Sequence, residues 1–287
     1  MAESVAGVRV ARTPAEVRAW AAGLREQGKR IALVPTMGAL HSGHLTLVAL
    51  AREHADAVVV SIFVNPMQFA PTEDFSAYPR PFERDCALCA QSAVDLVYAP
   101  SAATMYPPGF QTHVEVEELT RGLCGAARPT HFRGVTTVVH KLLNIVLADV
   151  AVFGEKDYQQ LQALRRMAED LDHPTRILGA PIAREADGLA MSSRNAYLTA
   201  SERAAAPAIQ RALRDMQAAV AGGERDVARL RSDAVAAMTA AGGRVDYAEI
   251  VEPTSLGPLT AIAGPARAIV AVWFGRARLL DNVALAP

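Results

Sequence analysis

Through the first 180 residues, short continuous apolar runs alternate with stretches whose apolar positions recur at helical spacing. Residues 31–34, 57–64, 95–99 and 149–153 read as buried strands of a parallel sheet. Between them, Leu45, Val48 and Ala49 mark one helix, and Val135, Val138, Val139, Leu142, Leu143 and Val146 mark a long, well-buried one. Tyr158, Leu161 and Leu164 begin another. An opening helix starts at Thr13-Pro14 and carries Val17, Trp20, Ala21 and Leu24 up to Gly28. Residues 31–64 thus form a βαβ unit with a right-handed crossover, so residues 35–38 and 65–68 open on one sheet edge. Residues 113–117 alternate and predict a short edge strand. Residues 175–178 predict a further strand, with 181–184 as its exit.

Beyond Thr199 the pattern changes. Ile209, Leu213, Met216 and Val220 lie on one helical stripe, Gly222-Gly223 breaks it, and Val227, Leu230, Ala234, Val235 and Met238 resume. Strand-like runs follow at 245–251, 266–274 and 278–285. Helices followed by antiparallel strands indicate a smaller α+β domain. The expected organisation is therefore an α/β domain over residues 1–184 and an α+β domain over 185–287.

The 287 residues carry 29 Lys+Arg against 30 Asp+Glu, for a net charge of -1. That balance removes the electrostatic signal of a nucleic-acid binder and points to small ligands. Lysine occurs only at 29, 141 and 156, which singles each one out. Cys86, Cys89 and Cys124 are odd in number and lack zinc-finger partners, so they read as reduced thiols of a cytoplasmic protein. No signal peptide and no apolar run of spanning length is expected.

The richest window is PTMGALHSGH, residues 35–44. It reads as the end of a strand, a turn with Gly38 and Gly43, and the start of a helix. Glycines let backbone approach a ligand, and the helix start offers unpaired N–H groups, so the place suits a phosphate. His41 and His44 sit three residues apart, on one face of the first turn if the helix starts near Ser42. Zinc is the weaker reading, because the His-Glu-x-x-His pattern is missing. Lys156, at another strand's end, is a compact charge for phosphate. Residues 185–195, with Met191, Ser192, Ser193 and Arg194, read either as a wrap around a triphosphate or as a polar interdomain loop. The acids Glu83 and Asp85 after Pro81 serve either helix-dipole compensation or magnesium. Residues 69–80, turn-rich with Pro71, Asp74 and Tyr78, predict an ordered loop over the site.

Taken together, PTMGALHSGH, FVNPMQF (63–69), YPR (78–80), RPTHF (128–132), GEKDYQQ (154–160), MSSRN (191–195) and RLLDN (278–282) resemble the pantoate-β-alanine ligases, a family of the His-x-Gly-His nucleotidyltransferases. The resemblance covers almost the whole chain. It implies a Rossmann-like doubly wound parallel sheet, a smaller C-terminal lid and a homodimer. It also implies the reaction: ATP and pantoate give pantoyl adenylate and pyrophosphate, then β-alanine attacks to give pantothenate and AMP. By motif position, Met37, Gly38, Ala39, Leu40, His41, Ser42, Gly43 and His44 contact ATP. So do Gly154, Glu155, Lys156, Asp157, Met191, Ser192, Ser193 and Arg194, with the Ala183 backbone reading adenine. His44 matches the expected proton donor, with His41 and Lys156 beside it in the chemistry. Gln68 and Gln160 match the pantoate-holding glutamines, Gln68 also bordering β-alanine. Mg2+ is implied with ATP. Where some relatives carry two successive acids this chain has Arg84-Asp85, leaving Asp85 as the magnesium-linked candidate. Another nucleotidyltransferase of the superfamily and a non-catalytic nucleotide-binding protein are the alternatives.

Overall fold

The buried apolar runs pair side by side in a computed structural model that describes residues 3–71, 73 and 75–287. Asp74, assigned above to the loop over the site, lies outside the described residues, as does Thr72. β1 (Glu3–Val5) and β2 (Val8–Ala11) lead into α1 (Pro14–Arg25). β3 (Ile31–Thr36), α2 (Ser42–His54) and β4 (Ala57–Ile62) form the βαβ unit. A 3-10 turn, Pro66–Gln68, precedes α3 (Phe82–Gln91), β5 (Leu96–Tyr98) and the single turns α4 (Ala102–Met105) and α5 (Cys124–Ala127). Then come α6 (His131–Val146), β6 (Val150–Gly154), α7 (Tyr158–Asp170) and β7 (Arg176–Ala180).

Among the described residues these strands make a sheet in the order β1-β2-β5-β4-β3-β6-β7. Only the β1–β2 pair is antiparallel. The chain steps from β3 outward through β4 and β5, then returns to lay β6 and β7 on the other side of β3. This is the doubly wound, Rossmann-like arrangement, and its direction reverses at β3 and β6, where α/β sheets hold ligands. The central strands are apolar on both faces, as parallel strands covered on both sides must be: residues 31–34 of β3 and 57–60 of β4 are buried throughout. Thr13 caps α1 in a capping box with Glu16, so the Thr13-Pro14 signal marks a real helix start.

One local expectation needs correction, and one element left no signal in the sequence. The N-terminal hairpin leaves no pattern to read: its strands are three and four residues long, joined through Ala6 and Gly7 at φ 49° and 88°. That is too short for a periodicity signal. Residues 113–117 form no strand, because hydroxyls of α6 take the backbone groups a ladder would use. The Val114 N–H donates to Thr137 Oγ1 at 3.0 Å, and its carbonyl accepts from Thr136 Oγ1 at 2.6 Å.

The chain divides into two compact units. One comprises the described residues up to Glu155 together with Ala163–Ala180, and the other comprises Lys156–Gln162 and Pro181–Pro287. In the second unit a 3-10 turn (Ser193–Tyr197), α8 (Ala200–Ala205), α9 (Ala208–Ala221) and α10 (Val227–Ala240) precede β8 (Arg244–Val251), β9 (Ala266–Phe274) and β10 (Ala277–Leu285). The strands form an antiparallel sheet ordered β10-β9-β8. Its core joins Ile209, Leu213 and Met216 of α9 and Leu230 and Met238 of α10 to Ala268, Val270, Val272 and Leu279. Among the described residues no helix is long and apolar enough to cross a membrane.

Candidate active site

In the first unit the residues expected to hold phosphate follow β3 at the point where the sheet reverses. Thr36 Oγ1 donates to the Ser61 carbonyl at 2.7 Å and accepts the Gly38 N–H at 3.1 Å, tying the end of β3 to β4. Gly38 and Ala39 then take positive φ values of 82° and 51°. Glycine is at home there; alanine is not, so something must hold it. The holder is Asp85, in the first turn of α3. Its Oδ2 accepts the Ala39 N–H and its Oδ1 the Leu40 N–H, both at 2.8 Å. The carboxylate is 1 % exposed, and burial raises its pKa despite the two amides that favour its charge.

α2 opens on the histidines. His41 is the N-cap, its Nδ1 accepting the Gly43 N–H at 3.1 Å, while His44 Nδ1 accepts the His41 N–H at 3.3 Å. The rings lie 4.1 Å apart, centroid to centroid. A nitrogen that accepts an amide hydrogen carries none of its own, so in each neutral imidazole the proton sits on Nε2. Capping therefore sets both tautomers and makes both Nε2–H groups donors.

Gln68 ends the 3-10 turn after β4, and several side chains of the first unit fix it. Asn65, 1 % exposed, donates from Nδ2 to Gln68 Oε1 at 3.1 Å and to the Gly134 carbonyl at 3.0 Å. Tyr106 donates its hydroxyl to Asn65 Oδ1 at 2.8 Å. Gln68 Nε2 lies 3.0 Å from Met37 Sδ, which brings the glutamine to the histidine turn. The Gln68 carbonyl accepts from Arg128 at 3.1 Å and lies 2.9 Å from His131 Nδ1. Arg128 also grips both oxygens of Glu73 at 2.6 Å. Burial alone would raise the Glu73 pKa; the guanidinium prevails and holds it below the usual range. α6 comes close to this turn only because residue 134 is glycine. A β-carbon there would lie 2.3 Å from the Met67 carbonyl oxygen.

The second unit carries the other expected residues. The Met191 N–H donates to the Ala183 carbonyl at 2.9 Å, and Arg184 and Ala190 form an antiparallel bridge, so the two segments assigned to adenine and phosphate are joined directly. Arg184 forks onto Asp281 of β10 at 2.7 and 2.9 Å. Ser192 caps the 3-10 turn, accepting the Arg194 N–H at 3.3 Å. Ser193 and Arg194 lie within that turn. Lys156 Nζ lies 3.6 Å from Asp157 Oδ2. The Lys156 carbonyl accepts from Asn282 Nδ2 at 3.1 Å, and Asn282 Oδ1 accepts from Arg267, whose guanidinium stacks 4.0 Å over Tyr158. The tail motif RLLDN is thus a scaffold: Asp281 anchors the 184–190 strap and Asn282 anchors the lysine turn. Gln160 is half-buried in α7.

Sequence reasoning assigned no role to Asn65, Tyr106, Gly134 or Asp281. Asn65-Pro66 left a signal as a turn-capping pair and Asp281 as part of the RLLDN motif; Tyr106 and Gly134 left none.

A parallel sheet with a Gly- and His-bearing turn at its reversal point defines a nucleotide-binding α/β protein. The Pantoate-beta-alanine ligase family profile matches residues 9–284, and the chain belongs to that family. It is 54 % identical over 269 residues to the pantothenate synthetase of Heliobacterium modesticaldum, covering 93 % of this chain and 96 % of the relative. The crystal structure of the pantoate-beta-alanine ligase (pantothenate synthetase) of Thermus thermophilus superposes with a TM-score of 0.92 at 48 % identity, covering 97 % of this chain and 99 % of the other. The Francisella tularensis pantoate-beta-alanine ligase, solved in complex with beta-gamma ATP and beta-alanine, matches with a TM-score of 0.80 at 32 % identity, covering 96 % of each chain.

Proposed function

We propose that this chain condenses (R)-pantoate with β-alanine at the expense of ATP, through a pantoyl adenylate. A pantoate carboxylate oxygen attacks the α-phosphorus and the bond to pyrophosphate breaks. The β-alanine amine then attacks the acyl carbon, AMP leaves, and the nitrogen loses a proton. The observation that carries the reading is the pair of capped imidazoles, His41 and His44, beside an anchored Gln68 in a chain of this family. Attack by a carboxylate needs no protein nucleophile, so the work is alignment and stabilisation of charge developing on phosphate oxygens.

The assignments follow from that chemistry. The Nε2–H of His44 donates to the phosphates, with His41 and Lys156 as further charge partners. Met37, Gly38, Ala39, Leu40, Ser42 and Gly43 present the turn's backbone to ATP. Gly154, Glu155, Asp157, Met191, Ser192, Ser193 and Arg194 complete the ATP contacts, and the Ala183 backbone reads adenine. Gln68 and Gln160 hold pantoate, and Gln68 borders β-alanine. Magnesium bound with ATP supplies positive charge on the phosphates. Among the described residues there is no group of three or more His, Cys, Asp or Glu that could hold a metal ion. Asp85 does not fit as a direct ligand, because it is buried and each oxygen already accepts an amide hydrogen. The working form is a cytoplasmic homodimer, and its three cysteines are buried free thiols.

The test is exchange of labelled pyrophosphate into ATP. It should require pantoate and magnesium and proceed without β-alanine. Exchange that ignores pantoate, or that responds only to another acid, removes the substrate assignment.

A further inference from the structure

We propose that Asp85 is a positioning residue: it fixes the nucleotide turn through the amides of Ala39 and Leu40 instead of ligating magnesium. The inference rests on the nucleotide-binding reading above. A carboxylate buried beneath a polyphosphate site is electrostatically unfavourable in itself, since its charge opposes that of the ligand. Its presence calls for a compensating gain, and the geometry supplies one. Ala39 sits at φ 51°, in the left-handed region that a β-carbon disfavours, and Leu40 follows it into the N-cap residue His41. Both amides end on Asp85, one per oxygen, each at 2.8 Å.

Such charge-assisted bonds are strong, and two from consecutive residues to one rigid group set the direction of the peptide planes between them. The turn then delivers His41 and His44 to the start of α2 in one arrangement. Gly38 belongs to the same device. A β-carbon there would lie 2.9 Å from Asp85 Oδ2, so glycine is what lets the carboxylate reach the turn. The neighbouring residue, Arg84, adds positive charge beside Asp85, the opposite of what a cation site gathers. A magnesium ion keeps several waters and takes carboxylate oxygens that face an aqueous site; an oxygen pair 1 % exposed and engaged by amides is not that.

The decisive variant is Asp85→Asn, which keeps the shape and loses one acceptor and the charge. Amide hydrogen exchange on the full-length protein reads the turn without any catalytic activity. In the wild type the Ala39 and Leu40 amides should be protected. In Asp85→Asn they should exchange at least about tenfold faster, while amides of β4 stay as they were. In the pantoate-dependent exchange assay kcat should fall at least about tenfold at saturating ATP, the signature of misaligned donors. The free magnesium concentration giving half-maximal rate should not move. Asp85→Glu, which keeps the charge and alters the reach, should behave like Asp85→Asn.

Unchanged turn protection in Asp85→Asn, or a large rise in the magnesium requirement with protection intact, overturns the proposal. If the variants do not fold, the wild type still decides: rapid exchange at Ala39 and Leu40 contradicts it. A wild type that shows no pantoate-dependent exchange fails the functional reading, and the amide measurement stands apart from that result.

Discussion

Replacing Gly134 by alanine sets two known effects against each other. Residue 134 lies inside α6, where alanine is the better helix former by about 1 kcal/mol. If propensity decided the matter, Gly134→Ala would stabilise the protein. The structure says otherwise. The new β-carbon would lie 2.3 Å from the Met67 carbonyl oxygen, 2.5 Å from its carbon and 2.7 Å from the Gln68 nitrogen. Ordinary contact begins near 3.4 Å, so the helix and the 3-10 turn must part by about 1 Å. All three atoms are backbone, and no rotamer change relieves them. Overpacking of this kind costs about 3 kcal/mol, so the net is a loss of about 2 kcal/mol. The displacement also falls on Gln68, whose side chain is held through Asn65 to the Gly134 carbonyl. Urea unfolding should report the destabilisation, and the exchange assay should show a pantoate KM raised about tenfold, since an ångström of misplacement is costly to a binding group. A variant as stable as the wild type, or more stable, with an unaltered pantoate KM would refute the packing argument.

The remaining predictions concern the charge donors, the tail scaffold and acid stability. His44→Ala and Lys156→Ala should each slow adenylate formation about a hundredfold or more, as lost charge-stabilising donors do, measured by pyrophosphate exchange; a wild-type rate removes that residue from the mechanism. Asn282→Ala strips the Lys156 carbonyl and Arg267 of a buried partner, so it should cost about 1–3 kcal/mol in urea unfolding and also lower the exchange rate; wild-type values in both would show that the tail does not brace the lysine turn. His140 and His173, with centroids 6.0 Å apart, both have pKa values depressed by burial, His173 further by the charge of its neighbour. Depressed values mean that the unfolded chain takes up protons first, so stability is full above the ordinary value of 6.5 and falls as pH drops through the lowered ones. The fall in unfolding free energy below pH 6.5 should be less steep in a His140→Gln, His173→Gln double variant, and an unchanged slope would dissociate the pair from it.

What could be read from the sequence was local or periodic. The apolar runs at 31–34 and 57–60 declare buried parallel strands because both faces of the sheet are covered, and the glycines and histidines of residues 38–44 declare a phosphate-type turn because few other uses need them together. What escaped depends on contacts far apart in the chain. Asp85 lies 46 residues from Ala39, and nothing in its surroundings distinguishes a turn anchor from a dipole partner or a magnesium ligand. In the sequence Gly134 only precedes the apolar helical pattern that starts at Val135, and the Met67 carbonyl packed against it shows why it must be glycine. Asp281 and Asn282 lie in a strand-like tail whose chemistry appears only when β10 meets Arg184 and the Lys156 turn. The false strand at 113–117 fails for the same reason: alternation is present, and the hydroxyls of α6 claim its backbone.

The central claim is that pantoate is activated by bonding its carboxylate to the α-phosphate of ATP. Pantoate labelled with oxygen-18 in the carboxylate, turned over with ATP, magnesium and β-alanine, tests it directly. The mechanism predicts AMP carrying one labelled oxygen for each pantothenate formed; unlabelled AMP alongside pantothenate would contradict it.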